Sequence, residues 1–232
     1  METGYSYVIS DIHGNAAFFK SMMEQIKLRP QDTLYVLGDV IDRHPDGVRI
    51  LRKLMGMPNV KMLLGNHEYM MLDALYYHAD DLPEPWDPWG QNKYFKVWYS
   101  NGGNITHYYM KHQRIATRTE IFDYLTALPL NIEVEVNGTQ FLLIHGGFDD
   151  HTDDPHNRYH AVWDRLSGFD EMPEGKTVIF GHTPTIRYQE ANPMRIWHGD
   201  RRIGIDCGCA YPTQGQLSCL RLDDMKEFYS EV

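Results

Sequence analysis

Five times along the chain an apolar run breaks directly onto Asp, Asn or His beside a small residue: "YSYVISDIHG", "TLYVLGDVIDR", "VKMLLGNHE", "FLLIHGG" and "TVIFGHT". The runs are rich in Val, Ile, Tyr and Thr, which suit extended backbone, so each reads as a short strand. A strand that ends on a carboxylate or imidazole delivers it to the carboxyl edge of a sheet, where α/β proteins gather ligands. One Asp-x-His after a strand is commonly only a turn. Five such endings in order are a far stronger constraint than any one of them.

Between the first three runs the period changes to that of a helix. Phe18, Met22 and Ile26 recur at helical spacing behind a capping Asn15, and Val48, Leu51 and Met55 do so after Pro45. A third helix is expected from Glu68 to about His78. Strand–helix–strand–helix–strand predicts an α/β fold with parallel pairing. Residues 80–112 hold three prolines and many aromatics without a clean period, which predicts an irregular, aromatic-rich cap with a core of its own. "RTEIFDYLTALP" then reads as a helix with Ile121, Leu125 and Leu128 on one face. The second half reads mainly as strands, with Asn137-Gly138 as a hairpin turn. No linker or repeat divides the chain, so residues 1–232 are expected to form one domain.

A formal net charge of −10 argues against a nucleic-acid polymer or an anionic membrane as partner. No run reaches the roughly 18 apolar residues of a membrane span, and "METGYSYVISD" lacks a secretion signal, so a cytoplasmic protein is expected. Cys207, Cys209 and Cys219 lack the paired spacing of a zinc ribbon and read as small buried hydrophobes.

Asp11, His13, Asp39, Asn66, His145 and His182 stand at or just after the strand ends. Their mixed oxygen and imidazole donors suit manganese, iron or zinc better than magnesium or calcium. Six donors exceed what one catalytic metal with open positions takes, so two divalent ions bridged by Asp39 fit the count.

"SDIHG", "GDVIDR", "GNHE", "HGG" and "GHT", in this order, resemble the motifs of the metallophosphoesterases. The likeness is to the phosphoprotein phosphatases, the serine/threonine protein phosphatases, in the compact form found in bacteria and bacteriophage lambda. It extends to "VWYSNGG" and "VWDR" and spans Tyr7 to about Leu222. The resemblance implies a calcineurin-like fold: a central β-sandwich of two mixed sheets flanked by helices. It implies one metal on Asp11, His13 and Asp39, and a second on Asp39, Asn66, His145 and His182. His67 would be the general acid, oriented by Asp42, while Arg43, Asn66 and Arg165 would bind the phosphoryl group. In-line attack by a hydroxide bridging two metals, with manganese first in line, would then hydrolyse a phosphoprotein or phosphopeptide without a covalent intermediate.

Physical chemistry supports those roles. Phosphate monoester hydrolysis is extremely slow in water. Forked arginine hydrogen bonds complement the equatorial oxygens, and an alkoxide leaving group needs a proton donor. Departures from the pattern are Ser10 and His44, each where glycine is usual. Ser10 is expected to pack without consequence and His44 to lie on the surface. His151, His156 and His160 are expected on a solvated loop. The long C-terminal motif of eukaryotic members is missing, so their regulatory partners are not expected. Two alternatives stand beside the phosphatase: hydrolysis of diadenosine tetraphosphate or another nucleotide, and a non-catalytic metal-binding regulatory module. "GDVIDR" and "GNHE" favour the phosphatase over nucleotide hydrolases, which often lack the aspartate at Asp42 and read "GNHD".

Overall fold

In the computed structural model, residues 4–77, 93–148, 155–168, 170–211 and 213–231 are described. The first half supplies strands β1 (Ser6–Ile9), β2 (Thr33–Val36) and β3 (Val60–Met62). The second half supplies β4 (Asn131–Val136), β5 (Thr139–Ile144), β6 (Lys176–Phe180), β7 (Trp197–Gly199), β8 (Arg202–Gly204), β9 (Ser218–Arg221) and β10 (Lys226–Tyr229). They form two mixed sheets of five strands each, ordered β10-β9-β1-β2-β3 and β4-β5-β6-β8-β7. In the first sheet β1–β2 and β2–β3 pair in parallel, as the alternating pattern predicts. The β4–β5 hairpin turns at Asn137-Gly138.

Alternation along the strands sorts the core into layers. Val8, Tyr35 and Leu37 of the first sheet pack with Phe141, Leu143 and Ile179 of the second, forming the seam of the sandwich. Their neighbours Ile9, Leu34 and Val36 face the helices. Leu142, Ile144, Val178 and Phe180 face out of the second sheet onto Leu166 and Met172. The fold is the α/β sandwich that the motifs imply.

Helix α1 (Ala16–Ile26) starts where Asn15 Oδ1 accepts the Phe18 N–H at 3.2 Å, and it buries Phe19, Met22 and Ile26. Helix α2 (Gly47–Met55) buries Val48, Ile50, Leu51 and Leu54. The third strand is shorter than expected: Asn66 opens helix α3 (Asn66–Leu72), which continues as a π-helical turn over Asp73–Tyr77. His78, where the sequence ends this helix, lies outside the described residues.

The expected irregular cap is corrected where it is described. Residues 93–111 form helices α4 (Lys93–Ser100) and α5 (Gly103–Lys111), while 80–92 lie outside the described residues. Phe95 and Trp98, one turn apart, enter the same core as Ile9 and Val36 rather than a core of their own. Gly103 makes this possible, because a Cβ there would lie 2.2 Å from Trp98 Cδ1. Helix α6 (Ile115–Thr126) buries Ile121 and Leu125, as expected. His156 and His160 fall on helix α7 (Pro155–Trp163) rather than on a loop. His160 is exposed there and lies 3.3 Å from Asp164, its neighbour one turn on, while His151 lies outside the described residues. Among the described residues no helix is long and apolar enough to cross a membrane.

Candidate active site

The loops after β1, β2, β3, β5, β6 and β8 meet at one cleft, lined among others by Asp11, His13, Asp39, Asn66, His67 and His182. Two of these loops interlace through their backbones. The N–H groups of Asp11, His13 and Gly14 donate to the carbonyls of Gly38, Asp39 and Val40 at 3.2, 2.9 and 2.8 Å. This turns Asp11, His13, Asp39, Asp42 and Arg43 into the left-handed region, with φ between 49° and 70°, and His182 joins them at 61°. Side chains other than glycine enter that region at a cost of about 1–2 kcal/mol each. Gly38 bends more freely at φ 96°, and a Cβ on it would lie 2.5 Å from Gly65 Cα.

The histidines show what the cleft is built to hold. His145 Nδ1 lies 2.6 Å from the Leu37 carbonyl, His13 Nδ1 3.1 Å from that of Ile41, and His182 Nε2 3.2 Å from that of Trp163. A carbonyl only accepts, so each of these nitrogens carries the proton and donates. The second nitrogen of each neutral ring is then a bare lone pair, and all three face oxygens. His145 Nε2 is 3.1 Å from Asn66 Oδ1 and 3.4 Å from Asp39 Oδ1. His182 Nδ1 is 2.9 Å from Asn66 Oδ1. His13 Nε2 is 3.8 Å from Asp39 Oδ2 and 3.9 Å from Asp11 Oδ1. Acceptors converging on acceptors repel unless a cation sits among them, and a backbone carbonyl behind each imidazole is the usual support of a metal-binding histidine. The donor set therefore fits two divalent ions.

Asp39 belongs to both candidate groups, His13–Asp39–His67 and Asp39–His145–His182, and its two oxygens face different histidines. That is the geometry a bridging carboxylate needs. His67 lies close to the first group, but both its nitrogens are engaged, whereas Asp11 Oδ1 lies 3.9 Å from the bare nitrogen of His13. Electrostatics agree. Burial, joined by Asp11 and Glu68, pushes the Asp39 carboxyl well above the ordinary carboxylate range. Burial also holds His13 well below an ordinary imidazole, and with His145 and Arg165 it pushes His182 down to about 2. Neutral imidazoles are the form that binds metal.

His67 is engaged differently. Its Nδ1 lies 2.7 Å from Asp42 Oδ2, and Arg43 Nη2 donates to its Nε2 at 3.2 Å. Asp42 is fully buried, and its Oδ2 also accepts the Trp98 indole N–H at 2.9 Å. Burial raises the Asp42 carboxyl to about 7, against the hydrogen bonds from Thr106 and Trp98. Arg165 also lines the cleft, its guanidinium donating to the His182 carbonyl and to Thr183 Oγ1 at 3.2 and 3.1 Å. All the site residues expected from sequence thus surround one centre, though Asn66 stands at a helix start rather than a strand end.

Several contributors were not legible. Glu68, fully buried, accepts the N–H groups of Asp39, Val40 and Ile41 at 2.8, 2.8 and 3.3 Å. Its place in "GNHE" was the available signal. Trp98 and Thr106 fix Asp42, and Asp206, after β8, adds a buried carboxyl to the cleft. Two minor expectations are corrected. Ser10 does more than pack, because its Oγ donates to Asp11 Oδ2 at 2.5 Å. His44 is half-buried, and its Nδ1 donates to the His13 carbonyl at 3.0 Å.

Residues 6–204 match the calcineurin-like phosphoesterase family. A symmetrical bis(5'-nucleosyl)-tetraphosphatase of Paracidovorax citrulli is 28% identical over 195 residues, covering 82% of this chain and 61% of that protein. The chain thus spans less than two thirds of that relative's length. Serine/threonine-protein phosphatase 2 of Salmonella typhimurium is 28% identical over 187 residues, covering 76% of this chain and 78% of that protein. A solved structure of a candidate diadenosine tetraphosphatase shares the fold at TM-score 0.63 and 18% identity, covering 98% of this chain and 93% of that one. This family implies a dinuclear divalent metal centre, an arrangement that the converging lone pairs fit. The chain belongs to the calcineurin-like phosphoesterase family.

Proposed function

We propose that the protein hydrolyses phosphate monoesters with poor alkoxide leaving groups, concretely phosphoserine and phosphothreonine in a protein or peptide. The buried His67–Asp42 pair, joined at 2.7 Å, carries this reading. A serine or threonine alkoxide departs only with a proton, whereas cleavage of a phosphoanhydride releases a stabilised phosphate anion and needs a proton donor far less. When bound, two divalent cations, with manganese as the proposed metal, supply Lewis acidity toward the phosphoryl oxygens and acidify a water for in-line attack.

The chain's own residues do the rest. Asp11, His13 and Asp39 would hold one cation, and Asp39, Asn66, His145 and His182 the other. Arg43 and Arg165 offer planar forks to the phosphoryl oxygens. As Arg43 turns to the substrate it leaves His67 Nε2, which can then carry the proton destined for the leaving oxygen. Asp42, held by Trp98 and Thr106, keeps the ring oriented. Burial and then Arg43 hold the His67 imidazole well below its ordinary range, so the departure of Arg43 removes one of the forces against its charging.

A second reading, hydrolysis of dinucleoside tetraphosphates, is favoured by the names of the relatives. The symmetrical bis(5'-nucleosyl)-tetraphosphatase recurs among them, from Paracidovorax citrulli to Pectobacterium atrosepticum. On names alone it is the better supported of the two; the acid pair is what favours the monoester. The test is a manganese-reloaded preparation assayed on a phosphothreonine peptide, p-nitrophenyl phosphate and diadenosine tetraphosphate. The monoester reading expects preference for the peptide. It also expects a loss of about 10²–10⁴-fold in His67→Asn on the peptide, with a much smaller loss on p-nitrophenyl phosphate. Preference for the dinucleotide, with little effect of His67→Asn, establishes the second reading. Silence on every substrate with metal bound returns the non-catalytic module.

A further inference from the structure

The cleft holds a third arginine that hydrolysis of a single phosphoryl group does not use. Arg187 lines the same cleft as Arg43 and Arg165 and ends the short 3-10 turn Thr185–Arg187, five residues after His182. Among the described residues its exposed guanidinium has neither a hydrogen-bond nor an ion-pair partner. Its mount is nevertheless fixed. Thr185 N donates to the Asp206 carbonyl at 2.9 Å, and the Tyr188 hydroxyl donates to the Leu166 carbonyl at 2.6 Å. The Tyr188 ring stacks on Trp197 at 4.6 Å between centroids. Both ends of the turn are tied down, and the cation between them is left free.

Its bonding differs from that of the other two arginines. Arg43 Nη2 donates to His67 Nε2 and Arg165 Nη1 to the His182 carbonyl. Among the described residues the Arg187 guanidinium makes no such bond to the acid pair or the candidate metal ligands. Tyr211 lines the same cleft, 46% exposed, with its backbone N–H on the Gly208 carbonyl at 2.8 Å. Arg43 and Arg165 already offer two guanidinium forks to a single phosphoryl group.

We infer that Arg187 is a second anion position of the cleft, taking another phosphoryl group of the same substrate molecule, with the Tyr211 ring as part of its wall. The inference rests on the cleft being a phosphoester-hydrolase site and extends it to substrates carrying more than one phosphate. The second phosphate is either the next in a nucleotide's polyphosphate chain or that of a neighbouring phosphorylated residue in a peptide. An arginine fork suits either, because it pairs with phosphate oxygens in the plane of the guanidinium.

The experiment is equilibrium binding to the manganese-loaded protein at fixed free Mn²⁺, using inorganic phosphate and inorganic tripolyphosphate as probes. Wild type should bind tripolyphosphate at least about tenfold more tightly than phosphate, a preference of about 1.4 kcal/mol. Arg187→Gln should reduce the ratio to about threefold or less and leave phosphate affinity unchanged, while Arg187→Lys should retain part of it. An unchanged ratio in Arg187→Gln, or equal weakening for both probes, overturns the inference. Substrate kinetics then separate the two sources. A rise in KM confined to diadenosine tetraphosphate assigns the position to a nucleotide, and one confined to a doubly phosphorylated peptide assigns it to phosphoprotein. A wild type that shows the Arg187-dependent preference yet hydrolyses no phosphoester removes the hydrolase reading and leaves the anion position standing.

Discussion

Replacing Glu68 by glutamine tests the idea that one buried carboxylate positions the bridging ligand. Glu68 Oε1 accepts the Val40 and Ile41 N–H groups, and Oε2 accepts that of Asp39. In Glu68→Gln the best placement keeps the amide oxygen on Val40 and Ile41 and turns the new NH₂ against the Asp39 N–H. That buried donor loses its acceptor at a cost of about 1–3 kcal/mol, and the remaining two bonds fall from charge-assisted to neutral strength, about 1 kcal/mol each. Removing a buried charge offsets part of this, since burial, joined by the nearby Asp42, has pushed the Glu68 carboxyl up to about 7 against its backbone hydrogen bonds. The net expected loss is about 2–4 kcal/mol, or roughly 5–12 °C in Tm for a chain of this size. Because the orphaned amide belongs to Asp39, Mn²⁺ affinity should also fall by about 10–100-fold, as when other supports of metal ligands are removed. Without metal the loss should be smaller, because the neutral side chain relieves repulsion with Asp39. Thermal unfolding with and without Mn²⁺, together with calorimetric titration of the metal, measures each quantity. A Glu68→Gln protein that melts with wild type and binds Mn²⁺ equally well refutes the reasoning.

Gly103→Ala should drive a methyl into the Trp98 indole and break its bond to Asp42, costing about 1–3 kcal/mol and shifting tryptophan fluorescence; an unchanged spectrum argues against the contact. Asp32, only 1% exposed, accepts the Tyr5 and Arg29 N–H groups and the Arg29 guanidinium. Burial raises its pKa, but these bonds outweigh it and hold the carboxyl below its ordinary value. Its contribution is therefore present above about pH 4 and fades as pH falls through the lowered value. Asp32→Asn should cost about 2–3 kcal/mol in urea unfolding at pH 7, with a gap that narrows at pH 3. Chelation should lower Tm, because Mn²⁺ at about 1,000 times its Kd adds about 4 kcal/mol; a Tm indifferent to chelator contradicts the metal sites.

The sequence exposed the metal side of the site because each donor follows an apolar run, and strand alternation fixed where those runs end. Helices α4 and α7 were hidden for the opposite reason. Their aromatic and histidine-rich stretches bury only scattered positions, such as Phe95 and Trp98, which no period isolates. The supports were harder still to see. Glu68 acts on a loop 27–29 residues away, and Trp98 reaches Asp42 across 56 residues. Such contacts exist only once the strands and helices have packed. Arg187 resembles any surface arginine until the cleft forms around it.

Six expected site residues lie in the left-handed region: Asp11, His13, Asp39, Asp42, Arg43 and His182. Glycine, or asparagine to a lesser degree, would sit there more comfortably. Selection for stability alone would therefore erode this centre first, since the same exchanges that relax the backbone delete the chemistry. A relative that has abandoned hydrolysis should be recognisable by glycine or asparagine at these positions while its strands stay intact. Conversely, a library screened only for thermal resistance should return inactive proteins mutated here, and the ones still able to work should be those that gained their stability elsewhere.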